Sequence, residues 1–139
     1  MSVLLGLLLN TSPTWAGDLT LTVEARGFTG TEGQALFALY DSEGAWLDAK
    51  QAVQTADSTI SGDTVTAVFR GLDPGQYGVA VLHDANKNFA LDMRWFPIPG
   101  PAEGSGVSND APANFGPPSY ADAALALGAD TRIVVTMRY

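Results

Sequence analysis

Residues 63–82, Asp63-Thr64-Val65-Thr66-Ala67-Val68-Phe69-Arg70-Gly71-Leu72-Asp73-Pro74-Gly75-Gln76-Tyr77-Gly78-Val79-Ala80-Val81-Leu82, decide the fold. The first part sets Val65, Ala67 and Phe69 on one side and Thr64, Thr66 and Arg70 on the other, the period of a half-buried strand. Gly71 to Gly75 is a tight connection, because Pro74 presets its own backbone angle and the glycines accept positive ones. Gln76 to Leu82 resumes the alternation through Tyr77, Val79 and Val81. Short strands separated by Gly/Pro turns indicate an all-β domain.

The same period recurs on both sides. Asp18 to Arg26 puts Leu19, Leu21, Val23 and Ala25 opposite Thr20, Thr22, Glu24 and Arg26, and Thr131 to Arg138 aligns Ile133, Val135 and Met137. Gln34 to Tyr40 is apolar on both faces and suits a central strand covered twice. Asp41-Ser42-Glu43-Gly44 breaks it, and Trp46-Leu47 is expected to cap one sheet end. Lys50 to Thr55 is a weak strand candidate, and Asp57 to Gly62 reads as turn and loop. Ala121 to Leu127 fits either a helical turn capped by Ser119 or a further strand. No stretch carries a long amphipathic helix. The expectation is an all-β, seven-stranded antiparallel β-sandwich, Ig-like in its layering, with one long ordered loop.

Composition narrows the function classes. The chain has 139 residues with a net charge of −8, which argues against a nucleic-acid partner, since phosphate binding needs clustered Lys and Arg. It also disfavours docking on anionic lipid. The absence of cysteine removes thiol catalysis and Cys-based zinc sites. Residues 1–16 hold the apolar run Val3-Leu4-Leu5-Gly6-Leu7-Leu8-Leu9, too short to span a bilayer but suited to a signal-peptide core. Thr14 and Ala16 then take the small-residue positions before a cleavage site. The expectation is a signal-peptide remnant at 1–16, a single domain over 17–139, and a periplasmic or secreted location, with no integral membrane segment.

Between His83 and Tyr120 lies a connection in which neither strand nor helix period is evident. Such lengths in a compact domain are usually functional or disordered, and Phe89, Trp95, Phe96, Phe115 and Tyr120 favour order, since they are poor residues to leave in water. Asp84, Asn86, Asn88 and Asp92 stand at positions 1, 3, 5 and 9 of a calcium-type loop, with the Ala90 carbonyl at position 7. Calcium takes six to eight hard oxygens, and alternate-residue spacing in a curled loop aims them at one point. Phe89 replaces the turning glycine and Trp95 the closing glutamate, so Asp110 or Glu103 would have to complete the shell, and affinity would be on the order of 0.1–1 mM. The bland alternative is an Asx-rich turn bonded to its own backbone.

His83 is the single histidine. A lone histidine is more often a hydrogen-bonded anchor than a base. A catalytic reading would join His83 to Asp84, with Ser105, Ser108 or Ser119 as nucleophile, but Glu103-Gly104-Ser105-Gly106 lacks the first glycine of a nucleophile elbow. Trp95, Phe96, Phe115 and Tyr120 would line a pocket for a sugar or peptide, or else pin the loop to the sheet.

The pattern Phe69-x-x-Leu72-x-Pro74-Gly75-x-Tyr77-x-Val79-x-Val81 resembles the prealbumin-like sandwich modules, including those that accompany carboxypeptidases and bacterial surface proteins. With His83-Asp84-x-Asn86-x-Asn88-x-x-Leu91-Asp92 and Phe115-Gly116-Pro117-Pro118-Ser119, the chain resembles one bacterial secreted family of unknown function. The resemblance runs from Leu19 to Met137 and implies an exported prealbumin-like sandwich without implying an activity. The expected function is a non-catalytic binding module of the bacterial envelope, with calcium as the one cofactor expected and a protein, peptide or glycan as partner. The alternative is a small hydrolase or isomerase using His83 and Asp84 beneath the aromatic loop.

Overall fold

The computed structural model describes residues 17–85, 104–114 and 116–139. The described residues form eight strands, namely β1 (Leu19–Arg26), β2 (Gln34–Tyr40), β3 (Gln54–Thr59), β4 (Thr64–Leu72), β5 (Gly75–Asp84), β6 (Ser105–Val107), β7 (Leu125–Leu127) and β8 (Thr131–Thr136). A four-residue helix, α1 (Tyr120–Ala123), precedes β7, and 3-10 turns lie at Glu43–Ala45, Ala49–Gln51 and Ser108–Asp110. The chain is mostly β and makes two sheets. One is ordered β4-β1-β8; the other is ordered β3-β2-β5-β6, with β7 paired to β5.

Alternation explains the first sheet. In β1, Leu19, Leu21, Val23 and Ala25 are buried while Thr20, Thr22, Glu24 and Arg26 point outward, and β4 repeats the pattern with Val65, Ala67 and Phe69. These inner faces meet Phe37 and Leu39 of β2 and Val79 and Val81 of β5 in one shared core. Each such large apolar side chain contributes about 1.5–3 kcal/mol on burial.

The second sheet is buried on both faces. All seven residues of β2 are buried, as are the last eight of β5. Odd-numbered residues of both strands face the shared core, and even-numbered ones face a second cluster built from Leu36, Ala38, Tyr40, Ala80 and Leu82. The segment after β2 covers that cluster with Ala45 and the half-buried Trp46 and Leu47; the segment after β6 covers it with Ala111, Tyr120 and Ala123. Gly78 admits this cover, because a Cβ there would sit 2.8 Å from the Trp46 ring.

Four expectations need correction. The described residues hold eight strands, not seven, because β6 and β7 are three-residue strands too short to show a period. The sheets are not wholly antiparallel, since β1 and β8 pair in parallel from Leu21↔Thr131 to Arg26↔Thr136. The strand sought at Lys50–Thr55 is β3, Gln54–Thr59, and takes in residues read as loop, its polar composition fitting a strand at the edge of the sheet. The stretch from His83 to Tyr120 is not strandless, for it contains β6. At Ala121–Leu127 both alternatives hold in succession, with Ser119 capping α1 and β7 following.

Candidate functional site at the end of the fifth strand

Strand β5 ends in His83 and Asp84, and consecutive strand residues leave a sheet on opposite faces. His83 lies opposite Ala35, on the shared-core side, and Asp84 opposite Gln34, on the other. A His83–Asp84 dyad is therefore not what this strand presents.

His83 is 2% exposed, and both ring nitrogens are engaged. Nε2 lies 2.8 Å from the Glu32 carbonyl oxygen and Nδ1 2.6 Å from the Tyr139 hydroxyl. A carbonyl only accepts, so Nε2 carries the hydrogen, and in the neutral ring Nδ1 accepts from the Tyr139 O–H. The same hydroxyl accepts from the Thr29 backbone N–H at 3.2 Å. Phe28 and Tyr139 meet the imidazole edge-on at centroid distances of 5.6 and 5.8 Å. The arrangement ties the turn between β1 and β2 to the end of β5 and to Tyr139. It is an anchor.

Asp84 is fully buried, and the Gln34 side-chain amide donates to its Oδ2 at 3.1 Å. A buried carboxylate needs such donors, because losing water costs it several kcal/mol. Gly33 makes the strand end possible. It has φ +77°, and a Cβ there would fall 2.0 Å from the Asp84 carbonyl oxygen. Of the calcium-type series, Asp84 alone is described; Asn86, Asn88, Ala90 and Asp92 lie outside the described residues, as do Glu103, Trp95, Phe96 and Phe115. No group of three or more His, Cys, Asp or Glu side chains arranged for a metal occurs among the described residues.

The remaining candidates have structural partners. Asp110 accepts from the Thr136 backbone N–H at 2.9 Å and from its hydroxyl at 3.2 Å, filling a ladder position at the edge of β8. Ser108 is fully buried, accepts from the Val79 N–H at 2.9 Å and donates to the Ala123 carbonyl at 2.6 Å. Asn109 donates to the carbonyls of Asp122 and Ala124 at 3.1 and 3.0 Å. Together Ser108, Asn109 and Asp110 form a clip that joins β5, α1 and β8. Asn109 and Asp110 take positive φ, which short Asx side chains tolerate better than most residues. The adjacent Asn109-Asp110 pair is the one signal in the sequence that could have marked this turn. Ser105 is buried, and its backbone exchanges hydrogen bonds with Arg138; Ser119 is the cap of α1.

Tyr120 belongs to an aromatic group with Trp46 and Tyr40. Trp46 meets Tyr40 and Tyr120 edge-on at 5.3 and 5.6 Å, and its indole N–H donates to the Pro118 carbonyl at 2.8 Å. Burial raises the pKa of all three neighbouring phenols, Tyr40, Tyr77 and Tyr120, with Asp48 adding to the effect at Tyr40, Asp73 and then Asp41 at Tyr77, and Asp41 at Tyr120. The Tyr40 hydroxyl is buried and has no hydrogen-bond partner among the described residues. A separate shallow cleft of about 60 Å³ lies between β6 and the end of β8, lined by Val107, Ala111, Pro118 and Arg138 among others.

No helix among the described residues is long and apolar enough to cross a membrane. No curated protein and no solved structure matches the chain. A family model described as an uncharacterized protein conserved in bacteria matches residues 23–134, a span that runs from within β1 into β8 and takes in His83, Asp84 and the clip. The chain belongs to that bacterial family, DUF2141.

Proposed function

We propose that the protein is an exported, non-catalytic binding module of the bacterial envelope, a prealbumin-like β-sandwich that presents the segment following β5. The observation that carries the reading is the use to which His83 is put: both nitrogens of the chain's single histidine hold backbone and Tyr139, so the residue best suited to acid–base chemistry serves as an anchor. Ser108 and Asp110 are spent in the same way. Two sheets sharing one core, together with the Leu72-x-Pro74-Gly75-x-Tyr77 turn, support the prealbumin-like topology.

Asp84 gives the module a cation site of the calcium class. Its carboxylate is buried and oriented by Gln34, so a hard cation would meet a first ligand already fixed in place. Thermal melts test it. With a dissociation constant near 1 mM, about 10 mM calcium stabilises by roughly 1.4 kcal/mol and raises Tm by about 5 °C relative to chelator. Asp84→Asn should abolish the shift; identical melts with calcium and chelator would discard the ion. Export is tested separately by fractionating cells that carry the full chain, and retention in the cytoplasm would discard the envelope placement.

A further inference from the structure

We infer that residues 41–53 form a lid that lifts as one unit off the even-numbered face of β2 and β5, uncovering Tyr40. The two ends of the segment lie together, since it leaves β2 after Tyr40 and returns to the sheet where the Val53 N–H donates to the Leu39 carbonyl at 2.7 Å. A surface loop with adjoining ends and its own internal bonding is an Ω-loop, a form often given over to function. The backbone bonds of residues 42–52 stay inside the loop. The N–H groups of Ala45, Trp46, Asp48, Gln51 and Ala52 donate to the carbonyls of Ser42, Glu43, Ala45, Asp48 and Ala49, and the Ser42 and Asp48 side chains cap the two 3-10 turns. Among the described residues, a single hydrogen bond ties residues 41–52 to another part of the chain. It runs from the Trp46 indole N–H to the Pro118 carbonyl at 2.8 Å.

Two features of the closed position are unfavourable, and both relax once the lid lifts. Leu47, next to the tether, holds φ at +66°, a left-handed conformation that bulky residues rarely adopt. The Tyr40 hydroxyl, whose ring meets Trp46 edge-on, is buried without a partner among the described residues, and lifting admits water to it. Against these stands a small apolar contact. Ala45, Trp46, Leu47 and Ala52 pack on the cluster of Leu36, Ala38 and Ala80, and of the four only Ala45 is buried. Segments with few buried apolar contacts open at lower free energy than the whole domain. Opening breaks one side-chain hydrogen bond and lifts the indole from its seat over Gly78, while β2 keeps its ladders with β3 and β5. The floor so exposed carries the Tyr40 hydroxyl beside Gly78 and Tyr120. Tyr40 and Gln34 are opposite ends of β2, so loss of the calcium site at Asp84 would leave the lid standing.

The chain has no cysteine, so a single introduced thiol reports on opening. Ala45→Cys places one on the buried side of the lid, and Ala35→Cys places one in the shared core. With a thiol reagent in native buffer, the first variant should label at least about 100-fold faster than the second. Low urea should accelerate mainly the second, because a local opening exposes little surface. In the Ala45→Cys background, Trp46→Phe keeps a ring but loses the tether and should speed labelling by about fivefold, and Tyr40→Phe should slow it by about the same factor. Protein without substitutions gives an independent measurement. Acetylation of the Tyr40 hydroxyl by N-acetylimidazole, read by mass spectrometry, should proceed in native buffer while the amides of β2 and β5 stay protected from hydrogen exchange. Equal labelling of the two cysteine variants, or acetylation of Tyr40 only when those amides exchange, overturns the lid. Labelling unchanged by both Trp46→Phe and Tyr40→Phe overturns the parts given to the tether and the hydroxyl.

Discussion

The two sheets use polar residues in opposite ways. Among the described residues the β4-β1-β8 sheet is covered on one face, and its outward threonines and arginines are partly or fully exposed, where most need no protein partner. The β3-β2-β5-β6 sheet is covered on both faces at its centre, so any polar side chain on β2 or β5 must find a partner inside the protein. Gln34 and Asp84 find one another, His83 finds Glu32 and Tyr139, and Ser108 finds Val79 and Ala123. In the first sheet the outward polar residues are not needed to hold the described strands together; in the second, the polar residues hold the fold together. A residue type therefore says little about function until the number of covered faces is known.

The comparison is broken most severely at Gly33. Its left-handed backbone disfavours any side chain, and the space for a Cβ is occupied by the Asp84–Ala85 backbone. Gly33→Val should cost about 4 kcal/mol, enough to remove most of the stability of a domain of this size, as measured by chemical denaturation. A loss below about 1 kcal/mol would mean that the turn at 27–33 does not clasp the end of β5.

Ser108→Ala is the next largest. It leaves the Val79 N–H and the Ala123 carbonyl without their partner in a fully buried position, and each orphaned group costs about 1–3 kcal/mol. A total near 3 kcal/mol is expected from denaturant melts. Thr66→Ala, on the outer face of the other sheet, should change stability by less than about 0.5 kcal/mol. Equal effects at the two sites would erase the contrast between the layers.

Tyr139→Phe probes the anchor more gently. It removes the donor to His83 Nδ1 and the acceptor for the Thr29 N–H, while the ring keeps its contact with the imidazole. Because Tyr139 is half exposed, water reaches part of the site, and about 1–2 kcal/mol is expected. His83→Gln should cost at least as much, and combining the two should cost less than their sum, since they share one hydrogen bond. Strict additivity would show that the pair is not coupled.

These effects mark how far the sequence could be followed. Strands β1, β4 and β8 were legible because one buried face imposes a period of two, and β2 and β5 because burial on both faces gives a nearly unbroken apolar run. Strand β6 was hidden because three residues, Ser105-Gly106-Val107, cannot display a period, and Gly106 is there for a close approach to Thr136. The parallel pairing of β1 with β8 has no local signature, since it depends on where distant strands meet. At the site, the anchoring role of His83 was foreseeable from its isolation in the sequence. Its partners were not, because a backbone carbonyl and a tyrosine 56 residues away leave no spacing to recognise. The clip at Ser108-Asn109-Asp110 was visible only as three polar residues, which serve equally well in a loop, a metal shell or a cap.

Tyr40 gives the smallest effect and the sharpest exception. It lies on the doubly covered β2, yet its hydroxyl has no partner among the described residues, unlike the side chains of Gln34, His83 and Asp84. Tyr40→Phe removes a group that is already unsatisfied, so stability at neutral pH should be unchanged or rise by up to about 1 kcal/mol. Alkaline pH supplies the sign. Burial first, and Asp48 second, raise the phenol above its ordinary value of 10.0, so the unfolded chain releases this proton at lower pH than the folded one. The contribution is therefore complete below pH 10.0 and is lost as pH climbs from there towards the folded value. Wild-type protein should lose stability above pH 10.0 more steeply than Tyr40→Phe, although Tyr77 and Tyr120, raised in the same direction, keep part of the slope in the variant. Denaturant melts across that range measure the difference, and parallel curves for the two proteins would place the Tyr40 hydroxyl in contact with water or a partner, removing the exception.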